Sequence, residues 1–207
     1  MRKLVLKMSL SADGFVGGPK GEVAWLFESL DDEMTKWEVD LLWNAGVHIM
    51  GSRTFADMKA YWPTSDEPFA PPMNEIPKVV FSRKGIPAAT TSALQETTRL
   101  RNERGGRALP AKTASWDEAR VVTGDLAEVL RRMKQEPGKD ILAHGGASFA
   151  QSLVKTGLID EYVLVVHPVA LGSGLALFPP MPEPLHLRLS GTTSFPAGAV
   201  VNIYRPR

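Results

Sequence analysis

The chain has 207 residues, of which 43% are apolar and 23% charged, and its net charge is +1. That is enough for one domain with a real core, and the near-neutral balance gives no footing for a nucleic-acid or membrane partner. Cysteine is absent, which excludes a disulfide frame, a thiolate zinc site and a Cys nucleophile, and no metal site is expected.

The opening Met1-Arg2-Lys3-Leu4-Val5-Leu6-Lys7-Met8 is too short and too charged for a signal-peptide core. No apolar run approaches the roughly 18 residues that span a bilayer, so the expectation is a cytoplasmic protein. Lys3 to Leu10 reads as a first strand, closed by a turn at Ser11-Ala12-Asp13-Gly14. Gly17-Gly18-Pro19-Lys20-Gly21 is a loop that either covers a ligand or faces solvent. Ser29 or Asp31 caps a helix running to about Ala45, with Met34, Trp37, Leu41, Leu42 and Ala45 on one stripe. Val47-His48-Ile49-Met50 is a second buried strand that runs into Gly51-Ser52-Arg53-Thr54, where a short helix begins. A guanidinium and two hydroxyls at a helix start suit a phosphate. A capped surface turn is the plainer alternative.

Tyr61-Trp62-Pro63 through Pro77 reads as loop, and Lys78-Val79-Val80-Phe81-Ser82-Arg83 as a third strand that again ends in hydroxyl plus Arg. In open α/β sheets ligands bind at the carboxyl ends of strands. Residues 85–117 have little apolar periodicity and carry Arg99, Arg101, Arg104 and Arg107, which reads as a long surface insertion. Ala119 to Thr123 is a short strand, and Asp125 with Glu128 opens a helix with Leu126, Val129, Leu130 and Met133 inward. Ile141-Leu142-Ala143-His144-Gly145-Gly146 then reads as buried strand and tight turn. The helix that follows carries Phe149, Leu153 and Gly157 at helical spacing. Two glycines let a ligand approach the backbone, and the helix start favours an anion; they equally serve a tight turn alone. Tyr162 to Pro168 is a β-branched run for the interior of the sheet. Leu185–Leu189 and Ala199–Tyr204 make a C-terminal hairpin. The fold class is therefore α/β, a mostly parallel sheet of about eight strands with an antiparallel C-terminal hairpin and about four flanking helices. Residues 1–207 read as a single domain with a surface insertion at about 85–117.

Several of these pieces together resemble the dihydrofolate reductase-like proteins, most closely those similar to the reductase domain of bacterial riboflavin biosynthesis. They are Ser9 to Gly17, Met50-Gly51-Ser52-Arg53-Thr54-Phe55, Lys78 to Arg83, His144-Gly145-Gly146 through Glu161, and His167-Pro168-Val169 to Phe178. The resemblance implies an NADP-dependent oxidoreductase that binds NADPH across the carboxyl edge of the sheet, acts on a small-molecule substrate and forms a homodimer. Carried over by motif, Gly51, Ser52, Arg53 and Thr54 would lie at the cofactor phosphates, and Ser82 and Arg83 at the adenosine ribose with its 2′-phosphate. Gly145 and Gly146, with the N–H groups of Ala147 and Ser148, would cradle the pyrophosphate. Ser9, Ala12, Val16 and Gly17 would border the nicotinamide, with Trp25 near it. Folate reductases carry a carboxylate early in the first helix, which points to Asp31 and Asp32; such acids also serve as dipole partners of the helix start. Riboflavin reductases carry a Glu before the paired glycines. Here that position is His144, which becomes the substrate-contact or proton-donor candidate and implies a different substrate.

The expected activity is hydride transfer from NADPH to a small heterocycle, pterin-like or ribosylamino-pyrimidine-like, or to an imine. Two alternatives stand beside it. One is a nucleotide-binding protein without chemistry. The other is a serine hydrolase using Ser148 in Gly146-Ala147-Ser148-Phe149-Ala150, with Asp160 and His167 following in order.

Overall fold

A computed structural model describes residues 1–88 and 114–207. The arginine-bearing stretch of the expected insertion, with Arg99, Arg101, Arg104 and Arg107, lies outside the described residues. In chain order the strands are β1 (Leu4–Ser11), β2 (Ala45–Gly51), β3 (Lys78–Phe81), β4 (Arg120–Val122), β5 (Asp140–Ala143), β6 (Glu161–His167), β7 (Leu187–Ser194) and β8 (Val200–Pro206). The α-helices are α1 (Asp32–Trp43), α2 (Ser52–Tyr61), α3 (Ala70–Glu75), α4 (Ala114–Asp117), α5 (Leu126–Gln135) and α6 (Ala147–Thr156). One eight-stranded sheet has the order β4-β3-β2-β5-β1-β6-β8-β7. All pairs are parallel except those made by β8, which runs antiparallel to both β6 and β7.

Strand alternation splits the core into two layers. Leu4, Leu6, Met8 and Leu10 of β1 pack with Val47, Ile49, Ile141 and Ala143 under α5 and α6, through Leu130, Met133, Phe149 and Leu153. Val5, Met50, Val80, Leu142, Val163 and Val165 face the other way, under α1–α4, through Met34, Leu42, Phe55, Phe69, Met73 and Trp116. The central strands are therefore covered on both faces, as a parallel sheet requires.

The four longer helices stand where the sequence puts them. Asp31 caps α1 by accepting from Met34 N at 2.8 Å, and Asp125 caps α5 by accepting from Glu128 N at 2.8 Å. The short α-helices α3 and α4 are additions, as is a 3-10 helix at Ala24–Ser29. Tyr61–Pro77, read as loop, contains a 3-10 turn at Trp62–Thr64 and helix α3. Pro71 and Pro72 fall in the first turn of α3, where a missing N–H costs nothing. The tail of the expected insertion is not surface either. Trp116 of α4 is 1% exposed, and its indole donates to Asn74 Oδ1 at 2.8 Å. The C-terminal hairpin extends further than its apolar residues mark, because Gly191–Ser194 of β7 continue the ladder with β8. Among the described residues no helix is long and apolar enough to cross a membrane.

Candidate active site

β2 and β5 are neighbours, yet their chains leave in opposite directions. β2 leads through α2 and α3 to β3 on one side, and β5 leads through α6 to β6 on the other. This is a topological switch point, where the strand ends part and leave a crevice. A cleft of about 1350 Å³ opens there. Ser9, Val16, Gly17, Gly51, Ser52, Arg53, Thr54, Ser82, Arg83, His144, Gly145, Gly146, Ala147 and Ser148 all line it. Residues from five separate stretches of sequence are thus brought to one surface.

Two helix starts meet at the crevice. α2 follows Gly51 and α6 follows Gly146, and neither has a side-chain cap. In α6 Phe149 N turns back to Gly146 O at 3.0 Å, which leaves the N–H groups of Ala147 and Ser148, with those that open α2, for whatever the cleft holds. Both glycines are needed for this approach. Gly146 sits at φ +70°, and a Cβ there would lie 2.8 Å from Thr54 Oγ1. A Cβ on Gly51 would lie 3.1 Å from Phe149 Cβ. A Cβ on Gly145 would lie 2.8 Å from the Met8 sulfur. The result is a backbone cradle with a hydroxyl beside it and guanidinium groups at its rim, Arg53 and Arg83 both being exposed. Its donor set matches a dinucleotide's phosphates, with Arg for an additional phosphomonoester. Ser82 closes its own turn, its hydroxyl donating to Gly85 O and accepting from Lys84 N at 3.3 Å.

Other candidates fall away from the cleft. Ala12 N donates to Val169 O at 2.7 Å, and Trp25 is buried with its Nε1 donating to Glu22 O at 3.1 Å; neither lines the cleft. Asp31 and Asp32 do not line it either. Both Asp31 oxygens are taken by backbone amides, Oδ1 by Met34 N and Oδ2 by Ala197 N, each at 2.8 Å. Those two bonds hold its carboxyl below the usual range. Ser148, Asp160 and His167 do not form a triad. Asp160 and His167 flank opposite ends of β6. Asp160 Oδ2 accepts from Leu4 N and pairs with Lys134 at 2.7 Å, while His167 Nδ1 bonds Ser29 Oγ at 2.7 Å.

His144 follows β5 directly, held by its N–H to Ile49 O at 2.9 Å. It is 7% exposed, and its Nε2 has no hydrogen-bond partner. Its ring meets that of His48 edge to face, 4.5 Å between centroids. Burial above all, with Lys7 and Lys78 nearby, pushes the His144 imidazole down to about 3. The same burial and Lys7 push His167 down to about 4. Burial, His144 and Lys78 drive His48 well below its ordinary value. At neutral pH all three rings are uncharged.

Beside them is a pair that the sequence reading passed over. Lys7 of β1 and Glu38 of α1 meet at 2.7 Å with side chains 20% and 13% exposed, and both line the cleft. A signal for each is present in the sequence. Lys7 is out of phase with the apolar residues of a strand that needs both faces covered. Glu38 occupies the i+4 place from Met34 on the buried stripe of α1. The rest of that side of the cleft is mainly apolar, with Leu30, Met34, Leu41, Met58, Trp62 and Met73, and Asp57, Tyr61 and Glu67 also line it. The cleft therefore has two ends, a glycine-and-arginine end and an apolar end with one ion pair at its floor.

Comparison with known proteins agrees with this architecture. The profile of the RibD C-terminal domain matches residues 2–201. The uncharacterized protein YyaP of Bacillus subtilis is 29% identical over 203 residues, covering 98% of this chain and 94% of that one. The uncharacterized protein YwjB of the same organism is 30% identical over 206 residues, covering 100% and 98%. Among solved structures, a putative riboflavin biosynthesis protein from Shewanella sp. PV-4 superposes with a TM-score of 0.72 at 20% identity, covering 100% of this chain and 99% of its own. A diaminohydroxyphosphoribosylaminopyrimidine deaminase/5-amino-6-(5-phosphoribosylamino)uracil reductase from Thermotoga maritima gives 0.64 at 16%, covering 100% and 57%. A dihydrofolate reductase from Enterococcus faecalis, complexed with NADP(H) and RAB-propyl, gives 0.55 at 10%, covering 99% and 96%. The sheet order and the antiparallel hairpin are thus those of a dihydrofolate reductase-like fold.

Proposed function

The chain belongs to the RibD C-terminal domain family, and from that premise we propose that it is an NADPH-dependent reductase of a small heterocyclic or imine substrate. The observation that carries the reading is the convergence of two uncapped helix starts, at Gly51 and Gly146, on one crevice at the switch point of the sheet. Glycine turns on helix dipoles suit a pyrophosphate. Arg83 at the end of β3 is the residue that favours a 2′-phosphate, and Arg53 supports it from α2. Ser9, Val16 and Gly17 border the space for a nicotinamide, which when bound would supply the hydride.

The protein's own part is alignment. β1 and the turn after β5 hold Ser9, Lys7 and His144 on one surface of the cleft. The α1 and α3 side chains exclude water from the apolar end, which lengthens the life of a reactive pair and fixes its approach. His144, uncharged and with Nε2 unpartnered, contacts the substrate as a neutral donor or acceptor. Asp31 is assigned to the helix cap, so the proton would come from solvent through the cleft, by way of the His144 and Lys7 surface. The reading includes a cytoplasmic homodimer, which sedimentation at micromolar concentration would check.

The test is titration with NADPH and NADH, followed by quenching of tryptophan fluorescence, on the wild type and on Arg83→Ala. The expected result is saturable binding that prefers NADPH, with the preference lost in the variant. No binding of either nucleotide at millimolar concentration overturns the proposal. Binding without oxidation of NADPH by any pterin, flavin or imine would favour the nucleotide-binding protein without chemistry.

A further inference from the structure

The face of the sheet under α1–α4 carries a row of basic side chains that runs into the floor of the cleft. Lys78 of β3 pairs in register with His48 of β2, and His48 with Leu142 of β5. His144 is two residues beyond Leu142, so it shares that face, and its N–H to Ile49 O continues the ladder. Lys7 of β1 is likewise two residues beyond Val5, which pairs with Leu142. Four neighbouring strands thus set Lys78, His48, His144 and Lys7 in line. Of the four, His144 and Lys7 line the cleft, and His48 and Lys78 lie behind it.

The ends of the row have partners. Lys78 donates to Ile76 O and to Ser115 Oγ at 3.0 Å, and its ammonium lies 4.5 Å from the centre of the Trp116 ring. Lys7 pairs with Glu38 of α1. The middle is different. His48 is 0% exposed, and neither of its ring nitrogens makes a well-aligned hydrogen bond. The Leu42 carbonyl favours its charged form, but burial, His144 and Lys78 outweigh that effect. A neutral imidazole has one donor and one acceptor, and each costs free energy when it is buried unpaired. Val47, Ile49 and Met50 fill the adjoining places of β2 without that cost. Packing alone would be better served by an apolar residue of similar volume.

What His48 meets is His144. The rings stand edge to face, 4.5 Å between centroids, as a diagonal pair on adjacent strands. A hydrogen bond at one ring nitrogen ordinarily decides which nitrogen carries the proton. His144 Nε2 has no such bond. The decision then falls to the polar groups around the ring, which are His48 on β2, Lys7 on β1 and Lys78 on β3. In a buried site of low dielectric a neighbouring ring dipole acts strongly.

We propose that His48 is a positioning residue for His144, fixing the ring plane and the neutral tautomer in which His144 meets the cleft. The inference rests on the reductase reading for what His144 contacts there. A fixed tautomer gives the group that His144 presents a single polarity, and a substrate atom of the opposite polarity is selected over its counterpart.

The test is a long-range proton–nitrogen NMR spectrum of protein carrying isotope-labelled histidine, at neutral pH. His144 is identified among the four histidines by its loss in His144→Gln. In the wild type one neutral tautomer of His144 should exceed the other by about tenfold or more, the ratio that about 1.4 kcal/mol of bias sets. His48→Phe keeps a ring at the contact and His48→Leu does not, but both remove the nitrogens, and both should bring the ratio toward even. His48→Gln returns a donor and an acceptor and should restore the wild-type excess. Backbone amide spectra unchanged away from β2 and β5 would show that the variants fold. The proposal is overturned if wild-type His144 is an even mixture, or if a folded Phe or Leu variant keeps the wild-type ratio. The expected dependence in a protein that ignores NADPH would instead overturn the reductase reading and keep the histidine pair.

Discussion

The two ends of the cleft are built by different means. At the glycine end, recognition lies in backbone: Gly51, Gly145 and Gly146 admit two helix starts to one point, and each turn is contiguous in sequence. At the apolar end, recognition lies in side chains delivered by β1, α1, α2 and α3, far apart in the chain and joined only by packing. The first kind of site tolerates changes in the surrounding core but not a Cβ in the turn. The second depends on the packing of the whole α1–α4 layer. Changes confined to one end should therefore leave the other largely intact.

The largest expected effect is on stability at the apolar end. Met34 is 1% exposed at the centre of that layer. Met34→Ala should cost about 2–5 kcal/mol in denaturant unfolding, with NADPH affinity of the folded fraction little changed. An equal loss of NADPH binding would show that the two ends are not separable. Next comes Gly146→Ala, which forces a side chain into φ +70° and against Thr54 Oγ1. A strain of about 1–3 kcal/mol should appear, and nucleotide titration should show weaker binding.

Acid should sharpen the comparison, because His48, His144 and His167 all point from the sheet into the α1–α4 layer. Their folded values lie below the unfolded value of about 6.5. Their contribution is complete above that pH. It is lost as pH falls, since the unfolded chain takes up protons that the folded chain refuses. By pH 5 the His144 share alone would be about 2 kcal/mol. Melting curves from pH 7.5 to 5 should fall, and His48→Phe should flatten that fall; an unaltered slope would mean that these rings are hydrated and titrate normally. The smallest effect is Asp31→Ala, which removes a helix cap and the bond to Ala197 N. It should lower the melting midpoint less than either core change and leave nucleotide binding alone.

The same contrast explains what could be read from the sequence. The strand-turn-helix units at Gly51 and Gly145-Gly146 were legible because the chemistry and the turn share neighbouring residues, and the sheet, its hairpin and the four longer helices followed from periodicity. Lys7 and Glu38 were not paired in that reading, since 31 positions separate them and only the packing of α1 on β1 joins them. α3 was hidden by Pro71 and Pro72, which look like breakers until their place in the first turn is known. Trp116 was hidden in a stretch without periodicity. Asp31 was assigned two possible roles, and its two amide partners account for the capping one.

The position of β1 also bears on how the chain is made. It precedes the other seven strands in chain order, yet it lies between β5 and β6, near the far end of the sequence. One edge waits for β5, complete at Ala143, and the other for β6, complete at His167 roughly 10–30 s after β1 itself at bacterial synthesis rates. During that interval the nascent chain carries an exposed β-segment that can pair with other chains. Its contacts are almost all long-range in sequence, so closure of the sheet is a late and slow event. Lys3 and Lys7 within this stretch add charge that discourages self-association in the meantime. A lysine that serves the floor of the cleft in the finished protein thus also helps to keep the unfinished chain in solution.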